Sequence, residues 1–113
     1  MKVNVREDDQ IMVVELNGHV DASNAFQLEE KMEEIVSGGK YKIVVNFKTV
    51  DYISSAGLRV LLTAIKKVKS HQGDMVLCEM SDNIYKIFSL AGFTNIFKIM
   101  NNEVDSLMFL GKN

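Results

Sequence analysis

Val50-Asp51-Tyr52-Ile53-Ser54-Ser55-Ala56-Gly57-Leu58-Arg59-Val60-Leu61-Leu62 passes from a β-type segment through two hydroxyl residues into leucines at helical spacing. It reads as the end of a buried strand, a tight turn and the first turn of an amphipathic helix. Such a unit puts the oxygens of Ser54 and Ser55 at a helix N-terminus, where unpaired amides and the helix dipole favour a phosphate.

Upstream, Lys42-Ile43-Val44-Val45-Asn46-Phe47 is a β-branched run without clean alternation, the pattern of a central strand covered on both faces. Downstream, Leu58, Leu61, Leu62, Ile65 and Val68 keep one helical face while Arg59, Lys66, Lys67 and Lys69 occupy others, and Gln72-Gly73 closes the helix. Nearer the N-terminus, Val3, Val5 and Ile11 to Leu16 form two β-type stretches around the polar turn Glu7-Asp8-Asp9-Gln10, which predicts an antiparallel hairpin. Asn17-Gly18 is expected to break the second strand. Asp21-Ala22-Ser23-Asn24 offers N-caps for a helix carrying Ala25, Leu28, Met32 and Ile35, and Gly38-Gly39 ends it.

Beyond the central unit, Asp74 to Cys78 predicts another strand. Ser81 caps a helix whose Ile84, Ile87, Phe88 and Ala91 should point inward before Gly92 stops it. Phe93 to Ile99 reads as a short last strand, and Asn101-Asn102 caps a final helix bearing Val104, Leu107, Met108 and Leu110. The order is ββαβαβαβα. It predicts an α/β chain of one domain over residues 1–113, with about four helices on a mixed, mostly parallel sheet of four to five strands and an antiparallel edge. In such sheets the loops at the carboxyl ends of the strands share one rim, so Asp21 and Ser54-Ser55 are expected there together.

The bulk numbers exclude several function classes. A chain of 113 residues, 47% hydrophobic and 25% charged, is of ordinary single-domain size and make-up. A net charge of −2 and a pI near 5.6 lack the basic footprint of a nucleic-acid binder. No apolar run approaches the roughly 20 residues that span a bilayer, and Met1 to Glu7 lacks a signal-peptide core, so the expectation is a cytoplasmic protein without a membrane partner. Cys78, the single cysteine, lies in the apolar run from Met75 and reads as a buried strand residue. His19 and His71 lack metal-ligand spacing and read as surface residues.

Enzyme motifs also fail. A nucleophile elbow needs glycine two residues to either side of its serine, whereas Ser55 has Ile53 and Gly57, and no histidine base is in evidence. No P-loop run exists. A receiver-type acidic pair should lead into a helix, but Glu7-Asp8-Asp9 leads into a strand. The chain is therefore not expected to be an enzyme, and no cofactor or metal is expected.

Tyr52-Ile53-Ser54-Ser55-Ala56-Gly57-Leu58 resembles the phosphorylation motif of the bacterial anti-sigma factor antagonists, the stand-alone STAS domains. Gly18-His19-Val20-Asp21 is similar to that family's Gly-x-Leu/Val-Asp loop before the first helix. Gly73-Asp74-Met75-Val76-Leu77-Cys78 resembles its strand entry. Ser81 to Phe93 is similar to its third-helix segment, which closes on a small residue, Gly and an apolar residue. The resemblance runs through nearly the whole chain in the right order.

What it implies is a partner switch. The unphosphorylated domain would bind an anti-sigma factor that is also a serine kinase, thereby releasing a sigma factor to act in transcription. Phosphorylation would break that complex, and a phosphatase would restore it. The family's acceptor is the serine two positions before the glycine, here Ser55, with Ser54 as the alternative; Ser54 stands where many members carry Asp. Asp21, Ser54, Ser55, Gly57, Leu58 and Arg59 would form the partner-binding surface. The rival expectation is a STAS-like interaction or nucleotide-sensing module that is not phosphorylated and serves a larger signalling assembly.

Overall fold

The computed structural model describes residues 1–112. Strands β1 (Lys2–Asp8) and β2 (Ile11–Val20) lead into helix α1 (Ala25–Ser37), then β3 (Lys42–Ile53), α2 (Ser55–Ser70), β4 (Asp74–Cys78), α3 (Asp82–Leu90), β5 (Lys98–Met100) and α4 (Glu103–Phe109). One sheet runs in the order β1-β2-β3-β4-β5, antiparallel between β1 and β2 and parallel elsewhere. The expected α/β order and the mixed, mostly parallel sheet are thus present.

The hairpin turn is tighter than the four polar residues suggested. Glu7 and Asp8 remain in β1, and only Asp9 and Gln10 turn, both with positive φ (52° and 67°). That conformation matches the right-handed twist of the strands it joins. In β3, Ile43 and Val45 face one apolar layer and Val44 the other, each with no exposed surface, as the unbroken β-branched run predicted.

The main layer packs α1, α2 and α3 on one sheet face, through Leu28, Met32, Leu61, Ile65, Ile84 and Phe88 against Val14, Val45 and Phe47. Phe88 anchors it with edge-on contacts to Phe47 (5.6 Å between centroids) and Phe97 (6.1 Å). The opposite face is closed by α4, whose Leu107 and the following Leu110 cover Ile11, Val13, Val44, Val76 and Cys78. Among the described residues, no helix is long and apolar enough to cross a membrane.

Other expectations differ from the structure. Asn17-Gly18 does not end β2: register irregularities between Glu15 and Asn17 and between Gly18 and His19 absorb the misfit, and Gly18 takes the positive φ (87°). Thr49 Oγ1 donates to Leu16 O (3.1 Å) and also bonds Asn17, holding the bent strand to β3. Phe93 to Ile99 is not one strand, since Phe93–Asn95 forms a 3₁₀ turn and pairing starts at Lys98. Ala91, just past α3, is exposed. In α4, Val104 and Met108 face outward at 66% and 64% exposure, leaving burial to Leu107 and Leu110.

Candidate functional site

Parallel pairing of β2 with β3 ends at Val20 opposite Ile53, so the loops leaving these strands leave side by side. Ser54 N–H donates to Val20 O (2.8 Å), which ties the start of α2 to the loop that carries Asp21. The structure thereby brings together the two loops that the strand pattern placed on one rim.

Ser54 is the N-cap of α2 by backbone conformation (φ −88°, ψ 173°), and its carbonyl accepts the first helical bond, from Leu58 N (3.0 Å). Its side chain does not cap. Ser54 Oγ is buried and has no hydrogen-bond partner among the described residues. Ser55, the first helical residue, is exposed. The amides of Ser55, Ala56 and Gly57 precede the first intrahelical donor, Leu58 N, and so lack an intrahelical acceptor; among the described residues no hydrogen bond from them is present. Arg59 is exposed one turn further on, four residues from Ser55 and therefore on its side of the helix.

Gly57 and Leu58 are buried, so they support the site from below. A Cβ added at Gly57 would lie 2.8 Å from Cγ1 of both Ile53 and Val20. The missing side chain lets α2 rest directly on the ends of β2 and β3, which sets the height at which Ser55 is presented.

The Asp21 loop is held by its own side chains. Asp21 Oδ1 accepts from Ser23 N (2.9 Å) and Ser23 Oγ (2.5 Å), and Oδ2 lies 3.4 Å from His19 Nε2. The bonds from Ser23, aided by the neighbouring His19, hold the carboxyl below its ordinary range, so it carries charge at neutral pH. Asn24 is not a side-chain cap for α1. Its Oδ1 accepts from Asp21 N (2.9 Å) and its Nδ2 donates to His19 O (3.0 Å), which closes the loop on itself.

Three further residues contribute to this rim. His19 pairs with Tyr52 in the β2–β3 register and flanks Asp21; Tyr52 (49% exposed) and Phe26 (55%) are large apolar groups facing solvent on the same loops and helix start. Strict alternation from buried Val50 would turn Tyr52 inward; the register irregularity that skips Asp51 between Val50 and Tyr52 turns it outward instead and returns Ile53 to the core, so no local pattern marked it. Phe26 stands next to Ala25, off the α1 stripe of Ala25, Leu28 and Met32. No cluster of metal-ligating side chains exists among the described residues.

Comparisons with known proteins bear on the family and the fold. BtrV of Bordetella bronchiseptica, which carries the name of an anti-sigma factor antagonist, is 37% identical over 103 residues, covering 91% of this chain and 89% of its own. An anti-sigma factor antagonist structure from Thermotoga maritima superposes with a TM-score of 0.91 at 20% identity, covering 97% of this chain and 95% of that one. The Bacillus cell fate determinant SpoIIAA in its phosphorylated form superposes at 0.76 with 18% identity, over 96% and 97% of the two chains. The family model described as the STAS domain matches residues 2–106, and the chain belongs to that family.

Proposed function

We propose that this chain is a cytoplasmic anti-sigma factor antagonist that works by partner switching, with Ser55 as its phosphoacceptor. Unphosphorylated, it binds an anti-sigma factor with serine kinase activity and frees a sigma factor; the phosphorylated form is released until a phosphatase resets it. The observation that carries the reading is the contrast between adjacent hydroxyls, Ser55 exposed in front of unpaired amides and Ser54 buried. The name of BtrV and the likeness to a phosphorylated SpoIIAA support the same reading.

The chemistry follows from charge. A phosphate brings about −1.5 to −2 at pH 7, and the N-terminus of α2 accommodates it without refolding. In a close-packed contact that dianion must lose water or face a group suited to a neutral hydroxyl, at a cost of several kcal/mol. At about 1.4 kcal/mol per tenfold, affinity falls by orders of magnitude. Asp21, charged beside the acceptor, suits a cation of the partner, and Phe26, Tyr52 and Arg59 supply the surrounding contact.

The test is incubation with the cognate anti-sigma factor kinase and ATP, read by mass spectrometry. The wild type should gain a single phosphate and Ser55→Ala none, with binding of the kinase retained. A phosphate that persists in Ser55→Ala moves the acceptor elsewhere; a wild type that is never modified overturns the switch.

A further inference from the structure

We infer that the free edge of β1 pairs with the same edge of a second copy of this chain, giving a two-fold dimer whose sheet runs continuously through both. β1 is the edge of the sheet, and among the described residues nothing pairs with its outer side. It is seven residues long and free of proline and bulges, so it has none of the usual guards of an open edge beyond its charges.

The hairpin geometry and the charges of the strand set the register of that pairing. The two-residue turn makes Asp8 and Ile11 the closing hydrogen-bonded pair, and alternation then sends the backbone groups of Asp8, Arg6, Asn4 and Lys2 to β2. The N–H and C=O of Val3, Val5 and Glu7 face outward. An antiparallel match of these groups with themselves must set odd residues opposite odd ones, which leaves three central registers.

Charge decides among them. Centring on Asn4 sets Lys2 opposite Arg6 of the partner subunit, and centring on Arg6 sets that residue opposite itself; both juxtapose like charges. Centring on Val5 sets Lys2 opposite Asp8 of the partner subunit, twice over by symmetry, with Val5 opposite Val5 and Val3 opposite Glu7. Lys112 holds the Asp8 carboxylate at the strand end (2.7 Å), and Lys2 is exposed at the other end. The strand is therefore complementary to itself in this register.

The face beside the edge fits as well. Val5, Met12 and Ile35 line a groove of about 280 Å³ between β1 and α1, rimmed by Lys31, Glu34 and Lys40. Val3 and Val5 are only partly buried on that side. In the Val5-centred register Val3 and Val5 of the partner subunit lie on the same sheet face and extend the apolar wall. Ser55 is in α2, beyond β3, so the dimer leaves it exposed.

The experiment is sedimentation equilibrium of the full chain over a concentration series, with circular dichroism to follow folding. The wild type should show a concentration-dependent dimer. Val5→Pro removes an outward amide at the centre of the pairing, not one donated to β2, and should leave a folded monomer. Lys2→Glu, an exposed change that does not touch the core, should raise the dimer dissociation constant roughly tenfold because symmetry repeats the charge reversal. A wild type that stays monomeric at every concentration overturns the inference, and so does a dimer that Lys2→Glu leaves unchanged.

Discussion

Replacing Gly57 by Ala tests whether the close seat of α2 positions Ser55. The added Cβ would lie 2.8 Å from Val20 Cγ1, 2.8 Å from Ile53 Cγ1 and 3.1 Å from Ile53 Cδ1. Carbon atoms rest at about 3.5–4.0 Å, so the two nearest contacts fall roughly 0.7 Å or more inside that distance. Neither neighbour yields easily, because both are β-branched with restricted χ1 and are essentially without exposed surface. Overpacking of this kind costs about 1–3 kcal/mol, and the higher helix propensity of Ala returns up to ~1 kcal/mol. The net expectation is a loss of about 1–2 kcal/mol, which for a chain of this size lowers Tm by about 4–8 °C. Thermal and urea denaturation followed by circular dichroism measure it. A double mutant with Val20→Ala should lose about 1 kcal/mol less than the sum of the single changes, since the second substitution vacates the space that the first invades. A Gly57→Ala protein as stable as the wild type or more so would refute the reasoning, since propensity alone predicts that result.

Two further expectations concern stability. Because Ser54 Oγ is buried without a partner, Ser54→Ala should be neutral or slightly stabilising, whereas Ser81→Ala, which removes an acceptor for Ile84 N (3.2 Å), should cost about 1 kcal/mol in the same urea titration. Burial, against a smaller opposing effect of the Ser106 hydrogen bond, pushes the Cys78 thiol from its ordinary 9.0 up to about 12, helped by the charges of Glu103 and Glu79. The unfolded chain therefore gives up this proton at lower pH than the folded one. The contribution to stability is whole below about pH 9 and is lost as pH rises from there through 12. Cys78→Ser should flatten that part of the stability profile; an unchanged slope between pH 9 and the highest accessible pH would contradict it. A thiol reagent at pH 8 should label the native wild type only at the rate of opening.

Much of the fold was legible because its signals are local. Helix faces such as Leu58, Leu61 and Ile65, caps such as Ser81, and stops such as Gly38-Gly39 act within a few residues and need no distant partner. The continuation of β2 was not legible, because the bond from Thr49 to Leu16 O and the two register irregularities depend on a strand more than thirty residues away. The strand at Phe93 failed for a similar reason: Phe93 and Phe97 are claimed by the aromatic cluster around Phe88, which favours a turn there over pairing.

The amino-acid sequence by itself determined the element order, the parallel crossovers and the placing of Asp21 and Ser54-Ser55 on one rim, since spacing and turn chemistry act along the chain. Tertiary structure alone decided which of two adjacent serines faces solvent. The rotation of α2 about its axis is set by the packing of Gly57 on Val20 and Ile53 and by the bond from Ser54 N to Val20 O, and those contacts turn one hydroxyl inward and leave the other outside.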